Sequence, residues 1–150
     1  MLTVRDLLKM KKEDGIWAVS PETSTLDAVR FMASRSIGAL MVLEDGILSG
    51  IISERDLIYR ISEQHDLDLS TPIKDYMTTR VITVTPGASI EECMQIMTDR
   101  RIRHLPVVLE NGALIGLISI GDVVRALIDD HERTINHLQD YITGGGYGRY

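Results

Sequence analysis

The sequence predicts a mixed α/β (α+β) fold of two βαββα repeats with pseudo-two-fold symmetry, each a small three-stranded sheet packed with helices. The first reason is an internal duplication. Val-Ser-Pro at 19–21 recurs as Val-Thr-Pro at 84–86, and 14 of the 42 residue pairs aligned from 19–60 are identical. Chance would give about 6% per position, so the repeat is real. The second reason is that short β-rich runs alternate with segments of helical apolar spacing in each copy.

Each copy begins with a short strand and continues into a β-hairpin. Residues 16–19 and 81–84 are β-rich and are soon followed by a proline, which cannot donate to a sheet ladder. Hairpins are predicted at 40–52 and 105–118, where short apolar runs flank an Asp-Gly or Asn-Gly turn. A three-stranded unit of this size cannot cover both faces of its sheet, so we expect the two copies to pack around one core.

Each copy also contains two predicted helices. They are predicted to begin after four serines that can cap a first helical turn: Ser24, Ser53, Ser89 and Ser119. The second helix of copy one ends near Gln64, whereas that of copy two carries an apolar stripe to residue 142, where a run of glycines stops it. The expected organisation is a first repeat at 1–69, a second repeat at 70–132, and a helical extension with a glycine-rich tail at 133–150.

The composition limits the kind of partner. The 150 residues are 44% hydrophobic, which suffices for a buried core. The net charge of −6 argues against nucleic acid or an acidic membrane as a partner, because phosphate neutralisation needs a basic face. The first ten residues mix charged and apolar types, so we expect no signal peptide, no membrane span and a cytoplasmic location. Cys93 is the single cysteine, which excludes an internal disulfide, and we expect it in the core.

Each copy closes with Gly-h-h-Ser-x-x-Asp, where h is apolar, at 50–56 and at 116–122. With the order strand, helix, hairpin, helix, this motif resembles the CBS domain, which occurs in tandem pairs called Bateman modules. The resemblance covers residues 1 to about 132, and segments 4–8 and 73–77 resemble the short helix that leads into each such domain. The residues of both motifs are similar to those of stand-alone CBS-pair proteins of bacteria and plant organelles, so we expect no attached catalytic or transporter domain.

The resemblance implies two clefts between the repeats that bind AMP, ADP, ATP, NAD(H) or S-adenosylmethionine. The residues that match the first cleft are Ser119, Asp122, Leu117, Gly121, Arg103, His104, Ile16, Trp17, Ile37 and Gly38. The residues that match the second cleft are Ser53, Arg55, Asp56, Ile51, Gly38, Ala39, Val81, Ile82 and Ile102. Because copy two has Arg-His where copy one has Gly-Ala, the two clefts cannot be chemically equal.

The Ser-x-x-Asp serines are expected to cap the helices that follow them. The aspartates allow two roles. A carboxylate in the first turn complements the helix dipole, and it can also accept hydrogen bonds from both hydroxyls of a ribose. The resemblance implies the ribose contact for Asp122 and Asp56, which we expect in addition to capping.

Four other cleft residues also allow two interpretations. Arg103 and His104 enter a strand beside the first cleft, where a guanidinium and an imidazole can hold phosphate oxygens, although cations at a helix end also offset the dipole. Arg55 either adds a positive charge to the second cleft or is an exposed first-turn residue. Trp17 is either a core anchor or a wall for adenine, and the core role is favoured.

The sequence contains no nucleophile with an adjacent base, no metal-ligand set and no dinucleotide-binding glycine motif, so we expect no enzymatic activity. The predicted function is a regulatory adenine-nucleotide-binding module that senses energy or redox state and acts on an unidentified partner protein. The alternative is a homodimeric interaction module with empty, vestigial clefts. The resemblance implies a homodimer, and the last helix carries surplus apolar residues that suit an interface: Ile135, Leu138 and Ile142.

Overall fold

The computed structural model describes residues 1–11 and 17–144. Its elements are α1 (Val4–Met10), β1 (Ala18–Val19), α2 (Thr25–Arg35), β2 (Ala39–Glu44), β3 (Ile47–Ser53), α3 (Glu54–Tyr59), a π-helical turn (Arg60–Gln64), a 3₁₀ turn (Ile73–Asp75), α4 (Ile90–Arg100), β4 (His104–Val108), β5 (Leu114–Ser119) and α5 (Ile120–Gly144). The mixture of helices and small sheets confirms the predicted fold class. None of the helices described is both long and apolar enough to cross a membrane. The predicted tail at 145–150 lies outside the described residues.

The first copy forms the predicted three-stranded sheet. β1 pairs with β2 in parallel, and β2 pairs with β3 in the antiparallel direction. The hairpin turns through the Asp-Gly pair, whose φ angles of 53° and 79° are those that a two-residue hairpin turn requires. The β2–β3 register shifts between Val42 and Leu43, and the β4–β5 register shifts between Val107 and Val108. The irregularity therefore recurs at equivalent positions of the two copies.

The second copy has a two-stranded sheet in place of the predicted three strands. β4 and β5 form the antiparallel hairpin, but residues 81–84 contribute only one parallel bridge, at Val84. The reason is a missing donor. In copy one, the Met41 N–H donates to the Trp17 carbonyl at 3.3 Å, and the residue equivalent to Met41 is Pro106, which has no N–H. The first strand of copy two therefore cannot extend along β4.

Serine capping sets the helix starts as predicted. Each of the four serines accepts a hydrogen bond from the backbone N–H three residues later, at 3.0–3.2 Å. The ends of α2 and α4 are also equivalent, because Ser36 and Arg101 both take left-handed φ angles, of 54° and 55°. The same cap therefore brings the chain into β2 and into β4.

The residues that the structure describes form two hydrophobic clusters in place of the single core that the sequence suggested. The first contains residues of copy one together with Ile73, and the second contains residues of copy two together with Val4 and Leu7 of α1. Each lead-in segment, 4–10 or 73–77, therefore packs on the copy that it does not precede. Cys93 is buried in the second copy as predicted, and burial raises the pKa of its thiol to about 11.

Glycines in β3 and β5 make this exchange of lead-in segments possible. A Cβ on Gly50 would lie 2.5 Å from Met77 Sδ and 2.9 Å from the Thr78 carbonyl oxygen, and a Cβ on Gly116 would lie 2.7 Å from Leu8 Cδ2. Real Cβ atoms do not approach other atoms so closely. The glycines of the two Gly-h-h-Ser-x-x-Asp motifs are therefore packing positions that admit the lead-in side chains.

Candidate functional site

A cavity of about 1210 Å³ lies between the two copies. Its walls are the end of α1, residues 36–41 of copy one, and parts of β5 and α5 from copy two. The residues predicted for the first cleft that line this cavity are Trp17, Ile37, Gly38, His104, Leu117, Ser119 and Asp122. Ala39, which the sequence assigned to the second cleft, lines it as well.

Two described residues that were predicted for this cleft, Gly121 and Arg103, do not line the cavity. Ile16 lies outside the described residues, and Gly121 is exposed on the first turn of α5. Arg103 is exposed and lines a separate depression, whereas His104 lines the cavity. Arg103 lies in the bend just before β4, whereas His104 is the first residue of the strand, and neighbouring residues of an extended chain point to opposite sides. The sequence suggested that Arg103 and His104 lie together beside one phosphate position, but the structure separates them.

Asp122 is held by the start of α5. Its Oδ2 accepts the Ser119 backbone N–H at 2.9 Å, and Ser119 Oγ accepts the Asp122 N–H at 3.2 Å. This reciprocal pair is the capping box that the motif predicts. Among the described residues, no donor reaches Oδ1 of Asp122. Capping therefore leaves one carboxylate oxygen open to a ligand.

Lys11 is a cavity residue that no sequence pattern indicates. Its Nζ donates to the Leu117 carbonyl at 2.7 Å and lies 3.0 Å from Asp122 Oδ2, with 25% and 15% of the two charged side chains exposed. Burial alone would raise the pKa of Asp122, but hydrogen bonds from Ser119 and Lys11, with the Lys11 charge, hold that pKa below its usual 3.8. Since 106 residues separate Lys11 from Leu117, only the tertiary fold brings this ammonium to the site.

His104 begins β4 and is half-buried in the cavity wall. Burial lowers the pKa of its imidazole below the usual 6.5; the charges of Arg103 and Lys11 act in the same direction, and those of Glu54 and Asp122 oppose it. At neutral pH the ring is therefore mostly uncharged. It offers a ligand one N–H donor and one acceptor, with no full positive charge.

Trp17 is both a core residue and a lining residue of the cavity. It packs against the first hydrophobic cluster, edge-on to Phe31 with 5.8 Å between ring centroids, and the Arg35 guanidinium carbon lies 4.6 Å from the centroid of its ring. The same side chain lines the cavity. Packing and the cation–π contact hold the indole in place, so it forms a fixed apolar wall.

A shallower depression of about 350 Å³ is lined by three arginines, Arg55, Arg101 and Arg103, among other residues. Arg55 Nη1 donates to the Arg101 carbonyl at 2.9 Å. Arg55 and Ile102 are the second-cleft predictions that line this depression. Gly38 and Ala39 line the larger cavity, and within the described part of the chain the remaining second-cleft predictions line neither hollow: Ser53, Asp56, Ile51, Val81 and Ile82.

The positions of these five residues are nevertheless clear. Ser53 and Asp56 form the capping box of α3, and Ile51 exchanges backbone hydrogen bonds with Thr78 at 2.8 and 3.0 Å. Val81 and Ile82 are half-buried, and Ile82 packs against the second hydrophobic cluster. The two aspartates therefore differ in their surroundings, since Asp122 lines the 1210 Å³ cavity and Asp56 does not.

The fold and the cavity together define the class of protein. It is a tandem-repeat module with a ligand-sized cavity between its copies, where a helix-capping carboxylate, an ammonium, an imidazole and an apolar wall meet.

The chain belongs to the CBS-domain family, because the CBS domain profile matches residues 4–63 and 73–129. It is 42% identical to the CBS domain-containing protein CBSX3, mitochondrial, of Arabidopsis thaliana, over 95% of this chain and 73% of that protein. It resembles the solved structure of a protein with CBS domains from Burkholderia ambifaria MC40-6, with 40% identity and a TM-score of 0.80 over 86% of this chain and 96% of that one. The crystal structure of CBSX2 in complex with AMP is also similar, with 29% identity and a TM-score of 0.74 over 86% and 98% of the two chains. These matches confirm the resemblance that the paired motifs indicated.

Proposed function

We propose that this protein is a regulatory module that binds an adenine nucleotide in the cavity between its copies, catalyses no reaction, and acts on a partner protein. The observation that carries this proposal is the meeting of Asp122, His104 and an apolar wall in one ligand-sized cavity. The complex of the related CBSX2 with AMP supports AMP as the first ligand to test. ADP, ATP, NAD(H) and S-adenosylmethionine are the other candidate ligands. Which of them binds determines whether the module senses energy or redox state.

The three parts of a nucleotide match different groups of the cavity. The ribose hydroxyls are donors, and the Asp122 carboxylate is an acceptor with an open oxygen. The base suits the apolar wall around Trp17, Ile37 and Leu117. The phosphate suits the N–H of His104. Because Trp17 belongs to copy one and Asp122 to copy two, one ligand would contact both copies.

This bridging gives the module a way to regulate. A ligand that contacts both copies stabilises the arrangement of the copies that it binds better, and it shifts the population only by that difference in affinity. A partner protein then recognises the favoured arrangement. The cytoplasmic location suggested by the sequence stays a prediction, since the Arabidopsis relative is named as mitochondrial.

Adding AMP to the purified protein is expected to raise its midpoint of thermal unfolding, because a ligand that binds only the folded state stabilises it by mass action. At a concentration 100 times Kd the gain is about 2.7 kcal/mol, or roughly 5–10 °C for a chain of this length. The measurement is a thermal shift series with AMP, ADP, ATP, NAD⁺, NADH and S-adenosylmethionine, with guanosine monophosphate as a control of equal charge. If no adenine ligand at millimolar concentration moves the midpoint, the nucleotide-binding function is wrong.

The alternative function, a homodimeric interaction module, is favoured by the outer face of α5. At alternating intervals of four and three, this helix carries Val124, Ile128, His131, Ile135, Leu138 and Ile142. The five apolar members are 42–59% exposed, and every residue from 130 to 140 is exposed. This spacing is that of the a and d positions of a coiled coil, so the seam fits a helix with the same repeat. We propose that a second copy of the chain supplies this helix. Such a homodimer is compatible with nucleotide binding in the cavity.

The double variant Ile135→Glu/Leu138→Glu is therefore expected to be a monomer, because two carboxylates in the seam would have to be desolvated in the dimer. Arg133→Glu is the control, since it places the same side chain on the opposite face of α5 and should leave the dimer intact. Light scattering at tens of micromolar protein measures the mass. A monomer mass for the unmodified protein would show that the homodimer is wrong.

A further inference from the structure

The carboxylate that a ribose must reach in the cavity is already partly occupied. Oδ2 of Asp122 accepts the Ser119 backbone N–H at 2.9 Å and pairs with Lys11 Nζ at 3.0 Å. Two donors satisfy the two acceptor positions of one carboxylate oxygen. Oδ1 is open, but a ribose that places one hydroxyl on each carboxylate oxygen needs Lys11 to leave Asp122, because Oδ2 has no acceptor position left.

The other copy shows that the capping box does not need this ammonium. Asp56 Oδ2 accepts the Ser53 backbone N–H at 2.8 Å and the Ser53 hydroxyl at 2.9 Å. Counted along the two lead-in segments, the equivalent of Lys11 is Arg80, which is exposed and forms no ion pair with any carboxylate of the described chain. The contact of Lys11 with Asp122 is therefore a particular feature of the cavity and not a requirement of the helix start.

Lys11 can change its partner while its backbone stays in place. Its backbone N–H donates to the Leu7 carbonyl at 3.2 Å at the end of α1, and Leu7 is only 2% exposed. The four-carbon side chain is flexible and carries a compact charge. Lys11 also shares the cavity with His104, whose pKa is lowered in part by the Lys11 charge. After leaving Asp122, the ammonium would therefore remain close to the expected phosphate position.

The charges of the cavity wall explain why a ligand with a phosphate should bind better than one without. Without a ligand, Lys11 and Arg125 balance Asp122 and Asp129. A nucleoside occupies the Asp122 carboxylate and brings no charge, so it leaves a half-buried ammonium without its partner, which is unfavourable. A nucleotide occupies the same carboxylate and brings phosphate oxygens that can accept the displaced ammonium.

We propose that Lys11 makes this cavity selective for nucleotides over nucleosides: its ammonium holds Asp122 when no ligand is bound, gives way to the ribose, and then pairs with the ligand's phosphate. The inference rests on the nucleotide-binding function proposed above. It adds a specificity-determining residue that lies outside both Ser-x-x-Asp motifs.

The test is titration calorimetry with adenosine and with AMP on Lys11→Met and on the control Lys9→Met, which removes the same charge from an exposed position of α1. Adenosine should bind Lys11→Met about two- to fivefold more tightly than it binds Lys9→Met, because no ion pair has to break. The preference for AMP over adenosine should fall about tenfold in Lys11→Met, because a charge-assisted contact with phosphate is lost. Lys11→Arg, which keeps the charge, should retain most of the preference.

Each outcome decides the proposal. If Lys11→Met binds adenosine no better than Lys9→Met does, or keeps the full preference for AMP, the role of Lys11 is wrong, and nucleotide binding by the unmodified protein leaves the proposed function standing. If neither the unmodified protein nor Lys11→Met binds either ligand, both proposals fail. If Lys11→Met binds adenosine while the unmodified protein binds neither adenosine nor AMP, Lys11 is a barrier to the nucleoside and only the function proposed for the unmodified chain fails. Lys11→Gln, with the same expected signs, replaces Lys11→Met if circular dichroism shows that Lys11→Met is unfolded.

Discussion

Asp122→Ala is expected to weaken AMP binding by about one to two decades, measured by titration calorimetry. The variant removes the acceptor for the ribose hydroxyls, and a hydrogen bond to a charged group contributes about 1.5–3 kcal/mol, which corresponds to that change in affinity. The capping serine, Ser119, stays in place, so the fold should be retained. The thermal midpoint of the variant checks this.

Asp27→Ala is the matched control for Asp122→Ala. Asp27 also follows a capping serine by three residues, in the first turn of α2, but it is exposed and lies outside the cavity wall. It should therefore share the small capping cost and leave AMP affinity unchanged. Because Asp56 is the equivalent carboxylate of copy one, the double variant Asp122→Ala/Asp56→Ala is the decisive protein. An AMP affinity equal to that of the unmodified protein in this double variant would show that the ribose assignment is wrong.

Gly50→Ala is expected to lower the free energy of unfolding by about 1–3 kcal/mol, the usual cost of an overpacked core. The added Cβ would lie 2.5 Å from Met77 Sδ and 2.9 Å from the Thr78 carbonyl oxygen. The methionine end can rotate away, but the carbonyl belongs to a backbone that Ile51 holds with two hydrogen bonds. The strand and the lead-in segment must therefore separate. Urea denaturation measures the loss.

Two other glycines provide controls for Gly50→Ala. At Gly116 the nearest atoms belong to the end of the Leu8 side chain, which can change rotamer, so Gly116→Ala should cost less. At Gly87 nothing lies within 4 Å of an added Cβ, so Gly87→Ala should change stability little. If Gly50→Ala is as stable as Gly87→Ala, the close approach of the second lead-in segment to β3 is not the constraint inferred here.

Local patterns were sufficient for most of the fold. The capping serines, the Asp-Gly turn and the helical spacing each involve residues within about four positions of one another, and all of them form as predicted. The duplication extended these local predictions, because an element found in one copy implied the same element in the other. The strand expected at 81–84 is the exception, and its shortening depends on Pro106 standing opposite it in a neighbouring strand.

The candidate site was only partly accessible from the sequence. The family resemblance led to Trp17, His104 and Asp122, which do line one cavity. The alternation of neighbouring side chains separates Arg103 from His104, but which of the two lines the cavity depends on how β4 is oriented against copy one. The family resemblance gave no sign of Lys11, whose role depends on where α1 packs.

The two repeats, their helix starts and turns, and the family to which they belong follow from residue types and spacings, since short-range hydrogen bonds and apolar periodicity are encoded in neighbouring positions. The exchange of lead-in segments, the two separate cores and the ion pair of Lys11 with Asp122 were decided by tertiary packing. These features join residues that are far apart in the sequence, such as Lys11 and Asp122, and local preferences do not determine which apolar face covers which sheet. The helix α1 completes the core of the copy that it does not precede, and in doing so it brings the Lys11 ammonium to Asp122 in the cavity wall.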